Sequence, residues 1–417
     1  MKKLLVVGII ILLVGMNIPS TGIDVEKFTV SYDGNILYVG GSGPGNYTKI
    51  QDAVDDATNS DTVYVYDGTY IEILTIDKSI NLIGEDRNHT IIDGDNKGDV
   101  ISVEADSVTI SGFTIKNCRA PGNPYDFVVV RIADIDHVTI KNNMISLGYF
   151  YYNNEAASVY LKDASYCTIQ NNIIKNIEGE DQSRGIKLDD NSTYNNISGN
   201  VISDYSRGVD IQSYDYPDSH HNNIVYNNHI HDNGYGIYIS SSNNNKILYN
   251  VVSSNSDTGM DLSYANDFTV IGNVITNNGG GYDFEGGIVI STIDTAILSD
   301  NIISHNDPVG FYTIGFRNYD LKNNHISENV QIGIYSNFDE YCNISRNNIV
   351  RNGNYNAVFE STIINCSTVK WSENYWRLSL GILPHRIIGV VYLLNIFLFR
   401  VPWFNFDWNP AKAPYDI

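Results

Sequence analysis

The 417-residue chain is short of cations: 26 Lys and Arg stand against 48 Asp and Glu, a formal charge of −22. Loss of Lys2 and Lys3 with an N-terminal leader would take it to −24. A surface this acidic repels phosphate backbones, so nucleic acid is not expected as a partner, and no membrane contact is expected beyond export. Methionine is as scarce as cysteine, with four of each, and Met1 and Met16 fall in the leader. Without a Met-rich or Cys–His cluster the soft ligand set that suits Cu(I) is missing. No apolar run approaches the roughly twenty residues of a membrane-spanning helix, since Leu4–Met16 and Ile387–Phe399 hold thirteen each. Helical heptads are absent between apolar segments, which excludes helix-linked α/β layering.

What is present begins with a leader. Lys2-Lys3, the apolar run to Met16, Asn17 and Pro19-Ser20-Thr21-Gly22 follow the three-part layout of an export signal. Residues 1–22 are therefore expected to be removed and the protein to be secreted, extracellular or held in the cell envelope.

A short phrase then recurs: an aliphatic residue, two variable residues, Asn, one variable residue, another aliphatic. Copies include Ile140-Lys-Asn-Asn143-Met-Ile145, Ile169-Gln-Asn-Asn172-Ile-Ile174 and Ile197-Ser-Gly-Asn200-Val-Ile202, closing with Trp371-Ser-Glu-Asn374-Tyr-Trp376. The repeated residues Asn143, Asn172, Asn200, Asn228, Asn250, Asn273, Asn301, Asn324, Asn347 and Asn374 are 22 to 29 residues apart. That interval is one coil of a solenoid. A second phrase, Gly-aliphatic-x-aliphatic, follows most copies, as in Gly185-Ile-Lys-Leu188, Gly208-Val-Asp-Ile211 and Gly236-Ile-Tyr-Ile239. Its period of two marks a half-buried strand. The expected fold is all-β: a single-stranded right-handed parallel β-helix of about 10–12 coils over residues 23–376. A C-terminal capping segment with an aromatic tail would fill residues 377–417. The asparagines read as architecture, sitting in a tight turn that tolerates left-handed backbone and bonding amide to amide between coils. Cys342 and Cys366, about one coil apart, would meet across neighbouring coils.

Tyr47–Ala57 has helical spacing and would cap the open first coil, ahead of Asp61–Tyr70, Ile80–Gly84 and Thr90–Gly94. This order of phrases resembles the N-terminal end of pectin-lyase-like β-helix proteins. With the Asn repeats it looks most similar to the NosD-type branch, grouped with carbohydrate-binding and sugar-hydrolase β-helix domains. The resemblance covers roughly residues 36–376 and rests on core and turn positions, which carry no chemistry. It implies either polysaccharide chemistry, since such relatives include lyases, hydrolases, epimerases and esterases, or an accessory role in maturing a copper enzyme, as for NosD.

In β-helix enzymes the site lies on the outer face of a parallel sheet. Aligning the Gly phrases gives one outward column, Arg131, Tyr160, Lys187, Asp210, Tyr238, Asp261, Val289, Tyr312, Tyr335 and Phe359. A second, two residues later, runs Ala133, Lys162, Asp189, Gln212, Ser240, Ser263 and Ser291. Strands stacked about 4.8 Å apart make column neighbours touch. Asp189 and Asp210 would then stand about 6–9 Å apart, the range in which an inverting glycosidase admits a water. Lys187 would serve instead as the base of a lyase, with calcium bridging the carboxylates and an acidic sugar. Tyr160, Lys162, Gln212, Tyr238, Asp261 and Arg131 are the expected sugar-binding residues, and a polysaccharide or cell-surface glycan the expected partner. The specific motifs of known pectinolytic sites are missing, so no catalytic residue is carried over from them. The longer segments Arg119–Phe127, Gly148–Ala156, Glu178–Arg184 and Asn278–Gly286 would wall a groove beside this sheet. His229 and His231, alternating on one strand, with His220 and His221 just before, are the weaker metal candidates, for copper or zinc. His325 takes the place of His229 four coils later, about 19 Å away. A non-catalytic structural or adhesive surface protein is the third reading.

Overall fold

The computed structural model describes residues 34–417 apart from 119–126, 148–155, 178–181, 214–220, 265, 281–285, 292–294, 316–317, 338, 363–367, 377–384 and 393–399. Three parallel sheets of 14, 13 and 14 strands run the length of a β-helix. Each coil contributes a short strand just before the repeated Asn (Thr139–Lys141), one just after it (Met144–Leu147), and a six-residue strand (Ala157–Lys162). We call the sheet of six-residue strands the long-strand sheet. The expected parallel solenoid is thus what the chain forms, and its core is the stacked aliphatic side of all three sheets, fully buried at Ile140, Ile169, Ile197, Val225 and Ile247.

The glycine of the second phrase has a packing reason. A Cβ on Gly185, Gly208, Gly236 or Gly259 would stand 2.5–2.7 Å from the carbonyl oxygen of the matching glycine one coil on, at Gly208, Gly236, Gly259 and Gly287. Only hydrogen fits at that corner.

All ten repeated asparagines form a ladder. Asn250 is typical: its Oδ1 accepts from the backbone N–H and Nδ2 of Asn228 (2.9 and 3.0 Å), while its Nδ2 donates to Val225 O (2.9 Å) and Asn273 Oδ1 (3.0 Å). The expected turn geometry is corrected by one position. The left-handed residue is the one before the ladder asparagine: Asn142 (φ 55°), Asn171 (55°), Gly199 (65°), Asn227 (52°) and Tyr249 (54°). A second ladder, not anticipated, runs through Asn233, Asn255, Asn278, Asn306, Asn329 and Asn352. Both leave no buried amide unpaired along their length, which a solenoid corner requires.

The helix Ile50–Asp56 buries Ile50, Ala53 and Val54 against the first coils. Its first two N–H groups are accepted by the two oxygens of Glu72 (2.9 and 3.0 Å), so a carboxylate from a later turn satisfies the helix start. At the other end His385–Tyr392 joins the long-strand sheet in parallel, and Arg400–Asp407 returns antiparallel beside it. Asp407, fully buried, ends the first ladder: its Oδ2 accepts from Asn374 N (2.9 Å), Asn374 Nδ2 (3.2 Å) and Trp376 Nε1 (3.0 Å). Cys366 lies outside the described residues, as does most of each of the walling segments.

Candidate functional site

The long-strand sheet places the outward columns as aligned. Arg131, Tyr160, Lys187, Asp210, Tyr238, Asp261, Val289, Tyr312 and Tyr335 are successive register partners. The last coil departs. Val358, not Phe359, pairs with Tyr335, and Phe359 points into the core. Without the Gly phrase, Tyr355–Thr362 offers two apolar neighbours, and the larger side chain takes the interior.

Although these side chains face outward, the central ones are buried. Lys187 is 1% exposed, Asp210 0%, Asp189 4%, Tyr160 8% and Gln212 9%. Charges withdrawn from water this far require partners, and two linked groups supply them. In the first, Lys187 Nζ lies 2.7 Å from Asp189 Oδ2, the same oxygen accepts from the Tyr160 hydroxyl (3.0 Å), and Lys187 Nζ sits 5.2 Å from the Tyr160 ring centre. Asp189 Oδ1 is buried with no hydrogen-bond partner among the described residues. Burial pushes the Asp189 carboxyl above the usual aspartate value, against the pull of Lys187 and with a further upward push from the charge of Asp210.

In the second group Asp210 Oδ2 is held by Arg184 Nε (3.0 Å) and Arg207 Nη1 (3.1 Å), and Oδ1 accepts from Gln212 Nε2 (2.7 Å). The Arg207 guanidinium lies 3.7 Å from the Tyr238 ring centre, a cation–π contact. Burial raises the Tyr238 hydroxyl, and it raises Asp261 too, where Ser263 Oγ donates to Oδ1 (2.6 Å) and lowers it in part. Arg131 pairs with Asp99 Oδ2 (2.5 Å) and lies 5.3 Å from the Tyr160 ring centre.

Tyr160, Lys187, Asp189, Asp210, Gln212, Tyr238 and Arg131 are thus brought together, with Asp261 at the edge. Lys162 is not. It is exposed and pairs with Asp190 at 3.4 Å. Both aspartates are engaged by cationic side chains of the protein, and two cations already lie near the Tyr160 ring. Sequence reasoning missed Arg184 and Arg207, which occupy register-paired positions at the starts of their strands. The signal was an Arg directly before Gly in two consecutive phrases. Chemically, the paired Lys187 and Asp189 can exchange a proton, and the guanidiniums can fix charge and position.

The histidines lie elsewhere, on the strand His229–His231 that follows the ladder asparagine, flanking buried Ile230. Their ring centres are 4.4 Å apart, and His231 Nδ1 is 2.7 Å from Asp232 Oδ2. Burial and the neighbouring His231 lower His229 below the usual imidazole value. His220 lies outside the described residues, and His221 Nε2 is 2.9 Å from Asp190 O. Register confirms His325 four coils from His229. Among the described residues no group of three or more His, Cys, Asp or Glu could hold a metal ion.

Three stacked parallel sheets with outward columns of polar side chains define a β-solenoid scaffold of the right-handed parallel β-helix class. A family profile described as "Right handed beta helix region" matches residues 216–368. A second, "Periplasmic copper-binding protein (NosD)", matches residues 54–257. No curated protein sequence matches the chain. Among solved structures, the catalytic domain of a GH87 alpha-1,3-glucanase in complex with tetrasaccharides superposes with TM-score 0.60 at 16% identity, covering 83% of this chain and 68% of that one. The catalytic unit of a thermostable GH87 alpha-1,3-glucanase from Streptomyces thermodiastaticus gives 0.58 at 14% identity, over 77% and 64%. PfbA, a surface adhesin of Streptococcus pneumoniae, gives 0.49 at 14%, over 87% and 95%. At these identities the likeness is one of fold.

Proposed function

We propose that this is a secreted or envelope polysaccharide-binding β-helix whose sugar site is the outer face of the long-strand sheet between Arg131 and Asp261. The observation that carries the reading is the concentration of Lys187, Asp189, Arg184, Arg207 and Asp210 on that face. The same outward column beyond Asp261 turns to Val289, Tyr312, Tyr335 and Val358. Burying Lys187, Asp189 and Asp210 on an outward face, with Arg184 and Arg207 half-buried beside them, is expensive, and such clusters of withdrawn charge mark functional sites. Polysaccharide-active enzymes among the fold relatives support the substrate class. In this reading Lys187 and Asp189 supply the acid–base pair, Asp210 positions Arg184 and Arg207 to contact the sugar, and Gln212 and Tyr238 border the contact surface.

The test is a glycan array with the purified protein, with and without calcium, repeated for Lys187→Met and for Asp189→Asn, each checked for native circular dichroism. Selective binding lost in folded variants supports the reading, and released oligosaccharide would extend it to cleavage. Binding unchanged in both variants, or to no glycan at all, removes it. The NosD profile match favours a second reading, an accessory role in copper-enzyme maturation. Stoichiometric copper binding lost in His229→Ala would shift the assignment there.

A further inference from the structure

A groove of about 640 Å³ crosses four coils at the corner between the strands that follow the first asparagine ladder and the long strands. Its walls are rich in acceptors. Asp204 and Asp232 take the same left-handed corner position one coil apart (φ 69° and 55°), and the Asp204 N–H donates to Asp232 O (3.2 Å). Asp257 follows on the next coil, its N–H donating to Gly234 O (3.0 Å). The three carboxylates form a row that steps with the coils at about 4.8 Å. They do not converge: among the described residues no group of three or more acids, histidines or cysteines could hold a metal ion.

Cations of the chain answer only part of this row. Lys175 Nζ is 3.6 Å from Asp204 Oδ2, and His231 Nδ1 is 2.7 Å from Asp232 Oδ2. Among the described residues the Asp257 carboxylate meets only Ser256 Oγ, at 3.4 Å. Asn176 adds a separate acceptor. It is 3% exposed, belongs to the groove wall, and its Oδ1 has no hydrogen-bond partner among the described residues. Gly234 keeps the floor low, since an added Cβ would stand 2.6 Å from Ser206 O and 3.3 Å from Asp257 Oδ2.

We infer that this groove takes the protonated amines of an amino-sugar polysaccharide, an inference that rests on the proposed outer-face sugar site and names its substrate class. An ammonium brings three donors and no acceptor, the complement of carboxylates and an orphaned amide oxygen. A row of carboxylates at coil spacing suits a repeating cationic ligand and not a single ion. The groove also opens onto the sugar face, because Ser206 and Gly234 directly precede the strands Arg207–Gln212 and Tyr235–Ser240. At long range a formal charge of −22 draws a polycation toward the protein.

The test is isothermal titration calorimetry of the full-length protein with hexamers of glucosamine, N-acetylglucosamine and glucose in one linkage, and with oligolysine. The glucosamine hexamer is expected to bind most tightly. Asp232→Asn and Asp257→Asn should each weaken it about 5-fold and together about 25-fold. Asp300→Asn, which removes the same charge from an exposed corner elsewhere, should leave it unchanged. Equal binding of the three hexamers overturns the inference, as does equal binding of oligolysine or an Asp300→Asn loss as large as that of Asp257→Asn, the marks of general attraction to a polyanion. Lys187→Met separates the two sites. Glucosamine binding that needs Asp257 and not Lys187 keeps the groove and removes the outer face, whereas binding that needs Lys187 with no preference for the amine does the reverse. The comparison of hexamers on the wild-type protein decides even if a variant does not fold.

Discussion

Asp210→Ala is expected to be among the most damaging single changes on the outer face of the solenoid. The carboxylate is fully buried and holds Arg184 and Arg207 on one oxygen and Gln212 on the other. Removing it takes the shared carboxylate from two guanidiniums whose side chains are only 11% and 22% exposed. Breaking a buried ion pair from one side costs about 3–5 kcal/mol. Partial access to water for both arginines argues for the lower end, about 3 kcal/mol. Asp210→Asn retains an acceptor for Gln212 and the shape of the site, so about half that loss is expected. Adding Arg184→Met and Arg207→Met to Asp210→Asn should restore most of the stability, because apolar replacement of a whole buried ion network is near neutral. The assay is equilibrium urea unfolding followed by near- and far-UV circular dichroism. Coincident transitions are required, because a stack of repeats can unfold in parts. A loss below about 1 kcal/mol in Asp210→Ala would refute the reasoning, and so would a triple variant no more stable than the single.

Asn250→Ala should destabilise by about 4 kcal/mol, since it orphans four buried bonds at roughly 1 kcal/mol each; a cost under about 1.5 kcal/mol in the same urea assay would mean that water replaces the amide. Asp261→Asn should stabilise the protein near pH 7. Burial raises the folded-state pKa of Asp261 above 3.8, so the folded state binds the proton more tightly than the unfolded chain, and wild-type stability falls as pH rises between the two values. The advantage of the variant should shrink as pH is lowered through that window, and a gain in thermal midpoint that grows toward low pH would contradict the assignment.

The fold was legible because two phrases recur with fixed internal spacing, and a period of two leaves little freedom about which side is inside. The outward columns followed from the same spacing wherever Gly marked the register, and slipped at Phe359 where it did not. Ligand chemistry was less legible. Lys187 and Asp189 were found as outward residues, but their burial depends on what lies over the sheet, which alternation along one strand does not encode. Arg184 and Arg207 escaped notice because they precede the glycine corner, outside both aligned columns. The second amide ladder was present in the text all along, five residues after the first at Asn233, Asn255, Asn278, Asn306, Asn329 and Asn352. The single left-handed residue per turn was misplaced by one, because Asn tolerates that backbone so well that the more variable neighbour was overlooked.

Asp407 gives the asparagine row a direction. Every amide-to-amide bond in it runs toward the C-terminal side, so the row behaves as a one-way polar wire that must be earthed at its far end, and a carboxylate does so. Whole coils could be duplicated or deleted in the middle of such a wire without disturbing either terminus. The number of coils is thus free to drift during evolution, whereas the chemistry that stops the stack is fixed, and the capping hairpin can be transplanted only together with its acid.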